Sequence, residues 1–245
     1  MMNISVIGCS FVGLLNRLRL LKLHPGVRFF IDASAGSGNR AIAAAVLHHL
    51  AQVKPDAIVV LWSGINRIDV PMPADWHNAY GAEVSFRKIQ DQYWYHSGGF
   101  SCEGFYPPTP KILIDYFKSQ HLGGTPEHFT DLSLLDITGT LAILKTQNIP
   151  YYSNFIYDVH ADYSEYTDIL FDKPLEHTLG KISPKSQYYN LILWNQLDTQ
   201  NTPFEWSKNQ NLLDTDQFHP TSDAMHAWFE QFVIPKLDMQ PPGNS

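Results

Sequence analysis

Residues Ala57 to Trp62, Ala-Ile-Val-Val-Leu-Trp, form an unbroken apolar run of strand length, entered from Pro55-Asp56 and left at Ser63-Gly64. A strand with one wet face alternates in polarity, whereas a continuous run of this length predicts a central parallel strand covered on both faces. What precedes the run agrees. Residues 3 to 8 read as a first buried strand ended by Gly8, and Phe11 to about Lys22 has helical spacing, with leucines at 14, 15, 18 and 21. After Pro25-Gly26, Val27 to Ile31 is a second apolar strand, Asp32 to Gly38 a small-residue loop, and Asn39 to about Val53 a helix with an alanine-rich start. Strand, helix, strand, helix, strand in this order predicts a doubly wound sheet. Right-handed crossovers then place the strand C-termini along one edge, where open α/β sheets build their sites.

The pattern changes after the third strand. From about Ile68 to Thr130 the chain carries Pro71, Pro73, Pro107, Pro108 and Pro110, the run Tyr93-Trp94-Tyr95, and Gly98-Gly99. This stretch, residues 68–130, reads as an insertion or cap elaborating the core, with short helices expected around 82 to 94 and 110 to 119. Phe129 to about Gln147 returns to helical spacing, and Ile149 to Ile156 is the fourth strand. A mixed loop over 158 to 183 precedes a helix at Ser186 to Leu197. Residues 203 to 206 are the candidate for a fifth strand. Thr221 to about Leu237 is the closing helix, with Pro235 in its last turn, and Met239 to Ser245 is a Pro/Gly-rich tail. The expectation is one domain over 1–245, a three-layer α/β/α sandwich around a mostly parallel five-stranded sheet.

At 245 residues and 44% apolar content the chain can bury a sizeable core. A formal net charge of -7 argues against a general nucleic-acid binder, which needs a basic stripe. Two cysteines, Cys9 and Cys102, lack metal-site spacing and give no disulfide framework. The short N-terminal apolar run, with Arg17, Arg19 and Lys22 behind it, fits neither a signal peptide nor a membrane span. Cytoplasmic synthesis is the plain expectation. Release by lysis or carriage in a virus particle also needs no leader.

Three residues stand where the predicted edge would gather them. Ser10 follows the first strand, and Asp216 and His219 sit in Asp214-Thr215-Asp216-Gln217-Phe218-His219-Pro220, ahead of the closing helix. A serine after a strand is by itself more often a helix cap, and a single histidine more often a polar loop residue. The Asp-x-x-His spacing changes that balance. One short turn brings the carboxylate to Nδ1 while Nε2 faces a hydroxyl, the arrangement that activates a serine nucleophile. Asp214 is the competing carboxylate. Gly38, in Gly36-Ser37-Gly38-Asn39, and Asn66, in Ser63-Gly64-Ile65-Asn66, follow consecutive strands and join the Ser10 N–H as candidate oxyanion donors. Asp158, His160 and Asp162 alternate as metal ligands would, yet a polar loop explains them better. Neither a metal nor a cofactor is called for.

These four segments resemble the SGNH, or GDSL-like, esterase and acylhydrolase superfamily. Gly8-Cys9-Ser10-Phe11 is similar to its nucleophile block and Ser37-Gly38-Asn39 to its glycine block. Gly64-Ile65-Asn66-Arg67 and Asp216-Gln217-Phe218-His219-Pro220 are similar to its asparagine and histidine blocks. Cys9 and Arg67 stand where the family carries aspartates, and Phe11 where it carries leucine. The resemblance implies a flavodoxin-like sheet and a serine esterase using Ser10, Asp216 and His219, with Ser10, Gly38 and Asn66 around the oxyanion. It leaves the substrate open among an O-acetylated polysaccharide or glycoconjugate, a lipid and a small-molecule ester. A catalytically inactive binding or structural protein is the alternative class. Arg67 and Trp94, the latter in the cluster with Trp76, Tyr93, Tyr95, Phe100, Phe105 and Tyr106, are the candidate substrate-binding residues.

Overall fold

The computed structural model describes residues 1–65, 67, 69–72, 86–89, 92–96, 100–101, 104–105, 126–161, 163, 167–168, 173–174, 181–186, 188–189 and 201–237. Strand β1 (Met2–Gly8) leads into two short helices, α1 (Ser10–Gly13) and α2 (Arg17–Leu23). Strand β2 (Val27–Ala33), helix α3 (Asn39–Gln52) and strand β3 (Ala57–Trp62) follow. Next come β4 (Asp69–Met72), β5 (Phe86–Ile89), β6 (Gln92–His96) and the two-residue strands β7 (Phe100–Ser101) and β8 (Gly104–Phe105). The long helix α4 (Pro126–Thr146) feeds β9 (Tyr151–Phe155), and α5 (Pro203–Asn209) and α6 (Ser222–Trp228) close the chain.

Among the described residues the central sheet has four strands in the order β2-β1-β3-β9, all parallel. Every residue of β3 is buried, as its unbroken apolar run requires. The layers follow from strand parity. Ser5 of β1 and Asp32 of β2 face α3, where His49 meets both, at 2.8 Å to Ser5 Oγ and 3.2 Å to Asp32 Oδ2. On the opposite face Phe29 packs edge-on to Phe229, and Tyr152 of β9 edge-on to Trp228. The sheet therefore lies between α3 with α4 and the paired ends of the chain.

Those ends are tied directly. Ser222 Oγ donates to the Leu14 carbonyl at 2.8 Å, the Asn16 N–H donates to His226 Nε2 at 2.8 Å, and Arg19 pairs with Asp223. Burial, helped by the Arg19 charge, pushes the His226 pKa below its ordinary value, which suits a neutral ring acting as acceptor.

Three sequence expectations are corrected. The helix from Phe11 to Lys22 is two helices, because Asn16 leaves helical geometry to cap α2, its side chain accepting the Leu18 and Arg19 N–H groups. Residues 203 to 206 are helical rather than a fifth strand, with Thr202 at the N-cap position and Pro203 in the first turn. Within the stretch 82 to 94, expected to be helical, the described residues belong to β5 and β6 of an antiparallel sheet ordered β4-β6-β5. The closing helix keeps α geometry only to Trp228, continues as a π turn over Phe229–Val233, and ends as a 3₁₀ turn containing Pro235. The segments 110 to 119 and 190 to 197 lie outside the described residues, as does Cys102.

Helix α4 carries Asp136, whose pKa burial raises to about 6 against the opposing pull of Arg40, with Asp69 adding to the rise. A carboxyl that holds its proton more tightly when folded favours folding at low pH. That contribution is lost as pH rises from the ordinary value of 3.8 through about 6. Asp136→Asn is therefore expected to raise stability at pH 7.5 by on the order of 1 kcal/mol after allowance for solvent screening, and to do little at pH 3.5. Denaturant midpoints of both proteins at the two pH values measure this, and an equal gain at both would contradict it.

Candidate functional site

Ser10 opens α1 immediately beyond the C-terminus of β1, half-buried at the sheet edge. Its hydroxyl lies 2.7 Å from His219 Nε2, across 209 residues of sequence. The other ring nitrogen, Nδ1, lies 2.5 Å from Asp216 Oδ2. An ionised carboxylate can only accept, so Nδ1 carries the proton and Nε2 is left free to accept from the serine.

The loop bearing the histidine is shaped by its own backbone. Leu213 and Pro220 form an antiparallel bridge, and the Asp214 N–H donates to the His219 carbonyl at 2.7 Å. Gln217, at a φ of 57°, turns the chain through the left-handed region. The turn lets Asp216 Oδ1 accept the Phe218 N–H at 2.9 Å and the His219 N–H at 2.8 Å while Oδ2 holds the ring. Burial would raise the Asp216 pKa. The bonds from the Phe218 N–H, the His219 ring and the His219 N–H outweigh burial and hold it below the usual carboxylate value. Asp214, the competing carboxylate, instead accepts the Thr215 N–H at 2.7 Å.

Aromatic rings enclose the histidine. Phe11 and Phe218 lie with ring centroids 5.1 and 4.9 Å from the imidazole, and Phe218 rests in turn on Phe204 at 5.6 Å. Cys9, next to Ser10, is a fully buried free thiol.

The other predicted site residues fall as follows. Gly38 precedes α3, and its N–H donates to Asp69 Oδ1 at 2.8 Å, while Asp69 Oδ2 accepts the Ala41 N–H at 2.8 Å. The Gly38 N–H is thus committed within the chain in this structure, unlike the open donor the sequence suggested. Asn66 falls outside the described residues. Both of its neighbours are buried. Arg67 donates from Nη1 to Ser63 Oγ at 2.7 Å, and its buried Nε has no partner among the described residues. The guanidinium is therefore packed inside the protein rather than displayed to solvent. Trp94, on β6, is half-buried against the hydrophobic core together with Tyr93. Asp158 Oδ1 accepts the His160 N–H at 2.9 Å, a local turn contact, and Asp162 lies outside the described residues.

Sequence reading missed four contributors. Asp69 braces the start of α3, the Asn39 side chain bonds to the backbone of Ser63, Tyr157 accepts the Ile65 N–H at 3.3 Å, and Phe204 backs the histidine loop. Asn39 stands in Ser37-Gly38-Asn39, where the glycine alone was singled out, and Phe204 in the helix start Thr202-Pro203-Phe204-Glu205, whereas Asp69 and Tyr157 belong to no contiguous motif.

A hydroxyl, an imidazole and a carboxylate stand in hydrogen-bonded series at the C-terminal edge of the parallel sheet, a geometry in which the ring can take the hydroxyl proton. No family profile and no curated protein sequence matches the chain. Among solved structures, it is similar to the psychrotrophic esterase EstA from Pseudoalteromonas sp., with 8% identity, 97% of each chain covered and a TM-score of 0.49. It is also similar to a variant of Axe2, an acetyl-xylooligosaccharide esterase from Geobacillus stearothermophilus, with 11% identity over 98% of this chain and 95% of that one, at a TM-score of 0.48. The acetyl xylan esterase AlAXEase shares 12% identity over 95% of this chain and 99% of its own, at a TM-score of 0.47. Likeness at this level assigns neither activity nor substrate to this chain.

Proposed function

We propose that the protein is a serine esterase working through an acyl-serine intermediate. The observation that carries this reading is the series Ser10 Oγ, His219 Nε2, His219 Nδ1 and Asp216 Oδ2, joined at 2.7 and 2.5 Å. An unassisted serine hydroxyl is a poor nucleophile at neutral pH, and this series supplies the base and its orienting group. As Ser10 Oγ attacks the ester carbonyl, its proton passes to His219 Nε2 and the carbonyl electron pair moves onto oxygen. Collapse of that intermediate breaks the bond to the alcohol, which leaves with the proton from His219. Water, deprotonated by the same nitrogen, then attacks the acyl-serine, and its collapse returns the carboxylic acid and the free hydroxyl. Asp216 stays ionised throughout and stabilises the imidazolium.

The developing oxyanion needs donors. The Ser10 N–H begins α1 and has no carbonyl of that helix to reach. We assign it together with the Asn66 side chain to this role. Gly38 contributes through close packing, since its N–H is held by Asp69.

For the substrate we propose an O-acetylated polysaccharide or glycoconjugate. The aromatic-rich stretch that follows β3 in the sequence and the lack of a long apolar run suited to a lipid chain support it. The test is an ester panel of acetylated glycans, short free esters and long-chain acyl esters, with labelling by an organophosphonate located by peptide mapping. Acetate release from the glycans, with label on Ser10, is the expected result. A preference for long chains of an order of magnitude or more in kcat/KM replaces the glycan with a lipid substrate. Absence of both turnover and label favours a binding protein on the same scaffold.

A further inference from the structure

We propose that Asn39 is a positioning residue: its side-chain amide fastens the loop Ser63–Arg67 to the start of α3 and so fixes the backbone on either side of Asn66 relative to Ser10. Its catalytic consequence rests on the esterase reading above. Asn39 is 1% exposed, and both ends of its amide bond to the backbone of one residue. The Ser63 N–H donates to Asn39 Oδ1 at 2.8 Å, and Asn39 Nδ2 donates to the Ser63 carbonyl at 3.3 Å. This reciprocal pair extends the order of the sheet one residue beyond β3, where strand pairing stops. A carboxylate can make only the first of these bonds and a methyl neither.

The rest of the loop is held in ways that make Asn39 the fixed point at its entry. At the exit, the Arg67 carbonyl lies so close to Gly38 that a Cβ there would sit 2.7 Å from it. In the middle, the Ile65 N–H donates to Tyr157 Oη at 3.3 Å and the Ile65 carbonyl accepts from Ser133 Oγ at 3.4 Å. Asn39 thus holds the entry of the loop by hydrogen bonds, Gly38 lets its exit approach closely, and its centre is anchored from the other side. Without the Asn39 amide, a buried N–H and a buried carbonyl at Ser63 lose their partners and must find water by moving. Small displacements of this kind lower turnover because oxyanion donors act on the transition state, and they leave ground-state binding largely alone.

The experiment compares wild type, Asn39→Ala and Asn39→Asp, with Ser10→Ala as the activity control. Amide hydrogen exchange and steady-state kinetics on the best ester of the panel are both read. In Asn39→Ala, exchange at Ser63 to Arg67 is expected to quicken at least about tenfold while amides of β1 and β3 keep their protection. The expected kcat falls about 10- to 100-fold with KM within about threefold, and the pH profile of kcat/KM stays in place because the Ser10, His219 and Asp216 contacts are untouched. Asn39→Asp, which still accepts from Ser63, should recover much of the Ser63 protection and part of kcat. Unchanged exchange in the loop overturns the proposal. So does equal quickening across β1 and β3, which signals general destabilisation, or a change in KM alone. Wild-type protein without Ser10-dependent turnover overturns the esterase reading instead, and the exchange pattern then decides on the fastening by itself.

Discussion

Ser10→Ala, His219→Ala and Asp216→Asn are each expected to lower kcat by about 10⁴-fold in a protein that still folds. For Ser10 the reason is loss of the proposed attacking atom, and for His219 loss of the base that touches it. Asp216→Asn is the more diagnostic change. An amide in place of the carboxylate can donate to Nδ1, which moves the ring proton to Nε2 and points it at the serine. The backbone bonds to Phe218 and His219 can still be accepted by the remaining oxygen, so the loop keeps its shape. The three substitutions should not add in combination, because they disable one unit. Folded variants that keep full turnover on an ester cleaved by wild type would remove this mechanism.

Asp216 also carries a pH signature. Its pKa is held below the ordinary value when folded, so it contributes stability above the unfolded carboxylate pKa and loses it as pH falls through the lowered folded value. In Asp216→Asn that part of the acid sensitivity should vanish. Circular dichroism along an acid titration of the two proteins reads the difference.

A second group with the same residue types shows what separates a site from a strut. His49 joins Ser5 and Asp32 on the buried face of the sheet, and the composition matches that of the Ser10, His219 and Asp216 series. Ser5 is wholly buried, whereas Ser10 reaches solvent at the sheet edge. Strand position decides this. Ser5 lies mid-strand in β1, facing α3, and Ser10 lies two residues past its end.

Much of this was legible in the sequence, and the rest depended on distant partners. Strand β3 appears where its apolar run lies, residue for residue, because burial on both faces leaves a signal that needs no neighbour to interpret. The break between α1 and α2 was not readable from leucine spacing. Asn16 leaves the helix in a setting where its own N–H is taken up by His226, 210 residues away. Residues 86 to 96 mix aromatic and polar types compatible with either period. Pairing of β6 with β4, whose residues Asp69–Met72 lie well upstream, and with β5 settles Phe86–Ile89 and Gln92–His96 as strands. The same holds in the site. Ser10 and the Asp216–His219 pair sit in local motifs, while the destination of the Gly38 N–H depends on Asp69, 31 residues on.

Gly8→Ala is expected to destabilise the protein by about 2–3 kcal/mol and to cut turnover by more than that loss explains. Gly8 is the last residue of β1, and a Cβ there would lie 2.6 Å from Val12 Cγ2 and 2.8 Å from the Leu61 carbonyl oxygen. The carbonyl belongs to β3, whose pairing with β1 fixes it, so the strain falls on α1 instead. Val12 is buried in that helix, two residues after Ser10. Pushing it away swings Ser10 off the 2.7 Å line to His219 Nε2. Restoring space with Val12→Ala in the same chain removes the nearer clash and should recover turnover more fully than stability, since the second change also empties part of the core. Unfolding midpoints and kcat for the single and double variants separate the two effects. Full activity in a stably folded Gly8→Ala protein would show that α1 does not need this close approach to aim the serine.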